Sequence, residues 1–223
     1  MTRTRNNKAV IFDLDGVLAD TGPFHRQAWF DLADKEGLKM SDEIFSRTFG
    51  MQNYQILPLL AGRDLPAGQI KHMSDWKEKR YRELIADSLV LAEGAETLIS
   101  DLRNNGFLLA IGSSAPRKNI DFICSRIPLL GCFNACVAGE DVPRGKPAPD
   151  TFLKAAEKLS LGPNRCVVVE DAVQGIEAAK AAGMPVVALT TTRSREDLRE
   201  ADLIVDSLSQ LTADDFSAFL TRS

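Results

Sequence analysis

Two rhythms divide the apolar positions of this chain. Ala9-Val10-Ile11-Phe12 runs without a polar break, as a parallel strand buried on both faces does. Short runs of the same kind recur at Phe107-Leu108-Leu109-Ala110-Ile111, Ala135-Cys136-Val137, Cys166-Val167-Val168-Val169, Val186-Val187-Ala188-Leu189 and Leu203-Ile204-Val205. Helical patterns separate them. One carries Leu98, Ile99 and Leu102 and ends at Asn104-Asn105-Gly106; others span about Pro116 to Arg126, Pro149 to Leu159 and Gly175 to Ala182. Strands alternating with helices predict a parallel sheet with right-handed crossovers. The stretch from about residue 20 to 88 is different. Phe24, Ala28 and Leu32, with Trp29 and Phe30 one step round, form an apolar stripe that Gly37 is placed to stop. Ile44/Phe45/Phe49, Ile56/Leu57/Leu59/Leu60 and the run from Gln69 to Asp87 continue the helical spacing, punctuated by Gly62 and Pro66-Ala67-Gly68. No strand-like segment interrupts them. The expected architecture is an α/β fold: a three-layer, Rossmann-like parallel-sheet core formed by residues 1–20 and 89–223, with an inserted all-helical domain over 21–88.

A chain of 223 residues with 44% hydrophobic and 26% charged residues has the composition of an ordered globular protein. Its net charge of -4 argues against nucleic acid or an anionic membrane as the main partner. Residues 1–8 are polar and basic, but the apolar run behind them is too short for a signal peptide. No run approaches the roughly 18 residues of a membrane span. A soluble, cytoplasmic protein is expected, as a monomer or small homo-oligomer. Cys124, Cys132, Cys136 and Cys166 form no metal-binding pattern and are expected to be buried, reduced thiols.

The chemistry gathers at the strand ends. Asp13 and Asp15 follow the first strand at i and i+2, so an extended chain points both side chains one way. Gly112-Ser113-Ser114 sets hydroxyls and backbone N–H groups between a strand and a helix, a suitable cradle for phosphate oxygens. In Gly145-Lys146-Pro147-Ala148-Pro149 the prolines stiffen the backbone around one lysine. Glu170 and Asp171 close a three-valine run, where burial of acids is costly without a cation. Parallel strands deliver all of these to one edge. Four carboxylates and one lysine sum to about -3, which excludes an anionic substrate unless a divalent cation and a proton intervene. Oxygen-only ligands select Mg²⁺. Carboxylate, magnesium, hydroxyl and lysine together make a phosphoryl-transfer site.

In order, Asp13-x-Asp15-Gly16-Val17, the Ser113 strand end, Lys146-Pro147 and Glu170-Asp171 resemble the four motifs of the haloacid dehalogenase superfamily. Asp20-Thr21, His25, Ala28-Trp29, Gly145-Lys146-Pro147-Ala148-Pro149-Asp150 and Gly175-Ile176 are similar to its β-phosphoglucomutase-like branch. The resemblance implies Asp13 as nucleophile, forming an aspartyl-phosphate, and Asp15 as general acid/base. It implies Ser113 (with Ser114) and Lys146 around the transferring phosphoryl group. It implies Mg²⁺ on Asp13, the Asp15 carbonyl and Asp171, with Glu170 in support. The insert becomes a cap that closes over the site, with Thr21 and His25 at its entrance and His25 linked to Asp15. Trp29 is expected in the core, and His72 with Lys77, Lys79 and Arg80 on a solvated helix face. β-Phosphoglucomutases carry a basic cap loop, Lys-x-x-Ser-Arg, where this chain has Phe49-Gly50-Met51-Gln52-Asn53. Asn53 then faces the substrate without a charge, and exposed Arg47 is the nearest cation in sequence. The expected function is a Mg²⁺-dependent phosphatase of a small phosphorylated metabolite, a sugar phosphate above others. The alternatives are a β-phosphoglucomutase-type mutase and, remotely, a catalytically idle metabolite-binding protein.

Overall fold

The computed structural model describes residues 7–221. Six parallel strands form one sheet in the order β3-β2-β1-β4-β5-β6. They are β1 (Ala9–Phe12), β2 (Leu108–Gly112), β3 (Ala135–Val137), β4 (Cys166–Glu170), β5 (Val186–Leu189) and β6 (Leu203–Val205). The first strand is central, with Val10 in register with Leu109 on one side and Val167 on the other. This position explains its unbroken apolar run. Alternate residues feed opposite faces: Val10, Phe12, Leu109, Ile111, Val167 and Val169 join one buried cluster, while Ala9, Ile11, Ala110 and Val168 join the other.

Both faces are covered. Helices α5 (Ala95–Asn104), α6 (Arg117–Arg126) and α9 (Ala213–Leu220) close the first, through residues such as Leu98, Ile123 and Phe216. Helices α7 (Asp150–Lys158) and α8 (Val173–Ala181) close the second, through Phe152, Ala155 and Ile176. The strands fall within a residue of the sequence expectation.

Between β1 and β2 the chain forms α1 (Gly22–Glu36), α2 (Asp42–Thr48), α3 (Asn53–Ala61) and α4 (Ala67–Ile85). These helices bury a separate cluster of Trp29, Leu32, Ile56, Leu57, Leu60 and Met73. Gly37 ends α1 in the left-handed conformation, at φ 66°. No helix among the described residues is long and apolar enough to cross a membrane. The cysteines are free, but only Cys166 is buried; Cys124, Cys132 and Cys136 are half-buried. They lie toward the rim of the packing, which corrects the expectation of four buried thiols.

Candidate active site

The strand ends bring the candidate residues together. Asp13 extends β1, its N–H donating to the Val169 carbonyl at 2.9 Å. Glu170 is the last residue of β4 and Asp171 the next. Lys146, only 2% exposed, reaches in from the loop after β3 and donates to Asp13 Oδ1 at 2.9 Å and Glu170 Oε1 at 2.5 Å. Glu170 Oε2 accepts from the backbone N–H groups of Asp171 and Ala172 at 2.8 and 2.9 Å. Glu170 therefore anchors the lysine and shapes the loop. Asp171 Oδ2 accepts from Thr192 Oγ1 at 2.5 Å.

Two glycines make room for this cluster. A Cβ on Gly16, whose φ is +81°, would lie 2.2 Å from Asp171 Oδ2. A Cβ on Gly175 would lie 1.8 Å from Glu170 Oε1. Neither carboxylate could occupy its place beside a larger residue.

Electrostatics at the cluster are unbalanced. Asp13, Glu170 and Asp171 are all buried, with oxygens within 4.8 Å of one another; Lys146 is the cation bonded to Asp13 and Glu170, and half-buried Arg193 also feels Asp171 and Glu170. Burial, together with Glu170 and Asp15, outweighs Lys146 and pushes the Asp13 carboxyl up to about 7. Burial, Glu170 and Asp13 push Asp171 well above the usual range. Burial opposes the charge on Lys146, yet Asp13 and Glu170 prevail and raise its pKa. An all-oxygen, buried donor set short of positive charge fits a hard divalent cation.

Asp15 stands apart from that cluster. Thr21 Oγ1 donates to its Oδ1 at 2.7 Å, and His25 Nε2 approaches the same oxygen at 3.2 Å. Lys77 Nζ lies 2.7 Å from His25 Nδ1. An ammonium offers donors alone, so Nδ1 accepts and Nε2 carries the hydrogen toward Asp15. Tyr81 stacks on the imidazole with centroids 3.8 Å apart. Burial raises the Asp15 carboxyl, but His25, Thr21 and Lys77 more than offset this and hold it below its ordinary value.

Ser113 is buried after β2, its Oγ accepting from Ala115 N–H at 3.0 Å. Its own O–H has no acceptor among the described residues and can donate. The Ser114 hydroxyl is buried without a partner among the described residues. A cavity of about 400 Å³ opens from Asp13, Asp15, Ser113 and Ser114 to residues of α1, α3 and α4, with Asn53 among its lining. Between the helical insert and the sheet domain, Gln52 Nε2 donates to the Gly139 carbonyl at 2.9 Å, and Gln174 Nε2 to the Arg47 carbonyl at 3.0 Å. Arg193 donates to the Ser46 and Phe49 carbonyls.

Lys77 does not lie on the solvated helix face expected of it. It is 2% exposed and lines the cavity, whereas His72 and Lys79 are exposed as expected. Met73, Lys77, Tyr81 and Ile85 recur every four residues on the buried face of α4, a spacing that assigns Lys77 to the apolar stripe. Glu78, Asn119 and Arg193 carry no signal in the sequence that separates them from solvated polar residues. Arg47 is exposed and does not line the cavity.

The haloacid dehalogenase-like hydrolase family model matches residues 7–183. The chain is 32% identical over 212 residues to the β-phosphoglucomutase of Bacillus subtilis, covering 92% of each protein. It is 32% identical over 204 residues to the chloroplastic 5-amino-6-(5-phospho-D-ribitylamino)uracil phosphatase of Arabidopsis thaliana. That alignment takes in 91% of this chain and spans about half (55%) of the relative. Among solved structures, a β-phosphoglucomutase from Clostridium difficile superimposes with a TM-score of 0.87 at 27% identity, covering 97% of this chain and 98% of the other. The chain belongs to the haloacid dehalogenase-like hydrolases.

Proposed function

We propose that this haloacid dehalogenase-like hydrolase is a Mg²⁺-dependent phosphomonoesterase acting on a small phosphorylated metabolite, a sugar phosphate above others. The observation that carries the reading is the buried cluster in which one lysine serves three carboxylates. Such a site accommodates a phosphate only with added positive charge. Asp13, the Asp15 carbonyl and Asp171 would hold the cation, with Glu170 behind them. Bound there, Mg²⁺ screens the substrate's phosphate from the attacking carboxylate.

The protein's own groups then divide the work. An Asp13 carboxylate oxygen attacks phosphorus, forming the aspartyl-phosphate as the ester P–O bond breaks. Asp15, ionised in the metal-free protein, would take up a proton as the phosphate ester binds, deliver it to the leaving oxygen, then remove one from the water that attacks the phospho-enzyme. Inorganic phosphate leaves and Asp13 is restored. The Ser113 hydroxyl and Lys146 ammonium hold the transferring group. His25 and Thr21 hold Asp15 in line, and Lys77 sets the histidine tautomer. Residues 21–88 act as the cap; its contacts with the core through Gln52, Gln174 and Arg193 support closure over the substrate.

Transfer to a sugar hydroxyl rather than water is the second reading, favoured by the identity to the Bacillus subtilis enzyme. The loop Phe49–Asn53 weighs against it, because it offers no cation to a second phosphate. Phosphorus NMR with Mg²⁺, β-glucose 1-phosphate and a trace of glucose 1,6-bisphosphate separates the two. Growth of inorganic phosphate supports hydrolysis; growth of glucose 6-phosphate without inorganic phosphate overturns it.

A further inference from the structure

The far wall of the cavity, opposite the strand ends, combines the apolar surfaces of Trp29, Met51, Tyr54 and Ile56 with the polar groups of Asn53 and Glu78. Glu78 is 6% exposed, and every partner it has belongs to the protein. Its Oε1 accepts from Asn53 Nδ2 at 2.7 Å and from Lys77 Nζ at 2.9 Å. Its Oε2 accepts from Asn119 Nδ2 at 2.6 Å, and Arg82 in turn donates to Asn119 Oδ1 at 2.5 Å. Burial raises the Glu78 carboxyl, but Lys77, His25 and Asn53 outweigh it and hold the group ionised below its ordinary value.

An ionised carboxylate only accepts hydrogen bonds, so the Asn53 amide has one permitted orientation. Its NH₂ faces Glu78. Its Oδ1 makes no hydrogen bond among the described residues, and Asn53 lines the cavity. The cations nearby are committed elsewhere. Lys77 is turned to His25 and Glu78, beside the Trp29 and Tyr81 rings. Arg117 donates to Asp141 and Cys136, and Arg82 to Asn119. Glu78 and Lys77 cancel formally, so the far wall offers no uncompensated cation to a second phosphate.

We propose that Glu78 locks Asn53 with its carbonyl oxygen toward the cavity, so that the far wall reads hydrogen-bond donors and rejects anions. The substrates it selects are monophosphate esters whose distal end carries hydroxyl or amino groups and no second phosphate. Asn53 is then a specificity residue and Glu78 a positioning residue. The inference rests on the phosphomonoesterase reading for the near end of the site and adds what lies at the far end.

Binding tests it without turnover. Full-length Asp13→Asn protein with Mg²⁺ is titrated calorimetrically with glucose 6-phosphate and with glucose 1,6-bisphosphate, which differ by one phosphate. The monophosphate is expected to bind at least about tenfold tighter. Asn53→Arg in the same background supplies the missing cation and should reduce that ratio at least about fivefold. Glu78→Gln, whose amide can also donate, releases the orientation of Asn53 and should reduce it in the same direction. Equal or tighter binding of the bisphosphate by the Asp13→Asn protein overturns the proposal, as does no binding of the monophosphate. A ratio unchanged in both far-wall variants also overturns it. Failure of the hydrolytic reading shows separately, as no phosphate release by the unsubstituted enzyme from any ester.

Discussion

Lys146 and Lys77 are equally buried, each 2% exposed, and each lies against carboxylate. Their surroundings nevertheless behave in opposite ways. Lys146 answers for Asp13, Glu170 and Asp171, and the deficit drives Asp13 to about 7. Lys77 pairs with Glu78 and also helps to lower Asp15, with the His25 ring and two asparagines completing the contacts, and both carboxyls stay below their ordinary values. The same ingredients thus give a site that calls for a cation and a wall that calls for nothing. What differs is the ratio of acid to base, and that ratio marks where a charged ligand belongs.

The largest effect is expected at the first lysine's partner. Asp13→Asn should lower phosphate release by more than about 10³-fold, because the substituted amide cannot act as nucleophile. Residual turnover within tenfold of the parent, in a preparation free of other phosphatases, would remove Asp13 from that role. The substitution should leave the thermal midpoint unchanged or higher, since it takes away a buried, under-compensated charge.

Replacing the lysines separates the two regions by stability. Lys77→Met leaves Glu78 buried beside neutral partners and should cost about 3–5 kcal/mol in denaturant unfolding. The Lys77→Met, Glu78→Gln double variant should lose less than the sum of the single changes, by about 2 kcal/mol. Additive losses would mean that the pair is not coupled. Lys146→Met should cost a similar amount at pH 8 without metal, and less at pH 5.5, where Asp13 holds its proton.

A smaller and opposed pair of pH effects follows. In metal-free protein the Asp13 value is raised from 3.8 to about 7, so the folded state binds the proton more tightly. Stability should fall as pH rises between these values, and Asp171 acts with the same sign. Glu78 has the reverse sign: its contribution is complete above its unfolded value of 4.5 and is lost as acid titrates the lowered folded group. Mg²⁺ at about 100 times its pH 8 dissociation constant should stabilise by about 2–3 kcal/mol at pH 8, and the same concentration should stabilise less at pH 5.5. A midpoint indifferent to Mg²⁺ at both pH values would contradict a cation site at the carboxylates.

Much of this was legible along the chain, for identifiable reasons. The apolar run Ala9–Phe12 announces a central strand because a parallel sheet covered on both faces needs no polar alternation. Asp13, Asp15, Ser113, Lys146, Glu170 and Asp171 could be grouped because strand ends in such a sheet share one edge. Glu78 was not legible as a functional residue. A glutamate amid Lys77, Lys79 and Arg80 looks like one more solvated charge until Asn53 and Asn119 are seen to enclose it. Gly175 appeared as part of a motif, but only its closeness to Glu170 explains why a side chain is excluded there.

Order along the chain thus determined the strands, the helical insert and the set of acids that must meet, since burial periodicity and sheet topology are local rules. Tertiary structure alone decided which lysine lacked enough charge for its neighbours and which was balanced. It also decided which way the Asn53 amide turned. Those outcomes depend on distances between residues 25 to 133 positions apart, and electrostatic energy in a buried site is set by separation in space rather than in sequence.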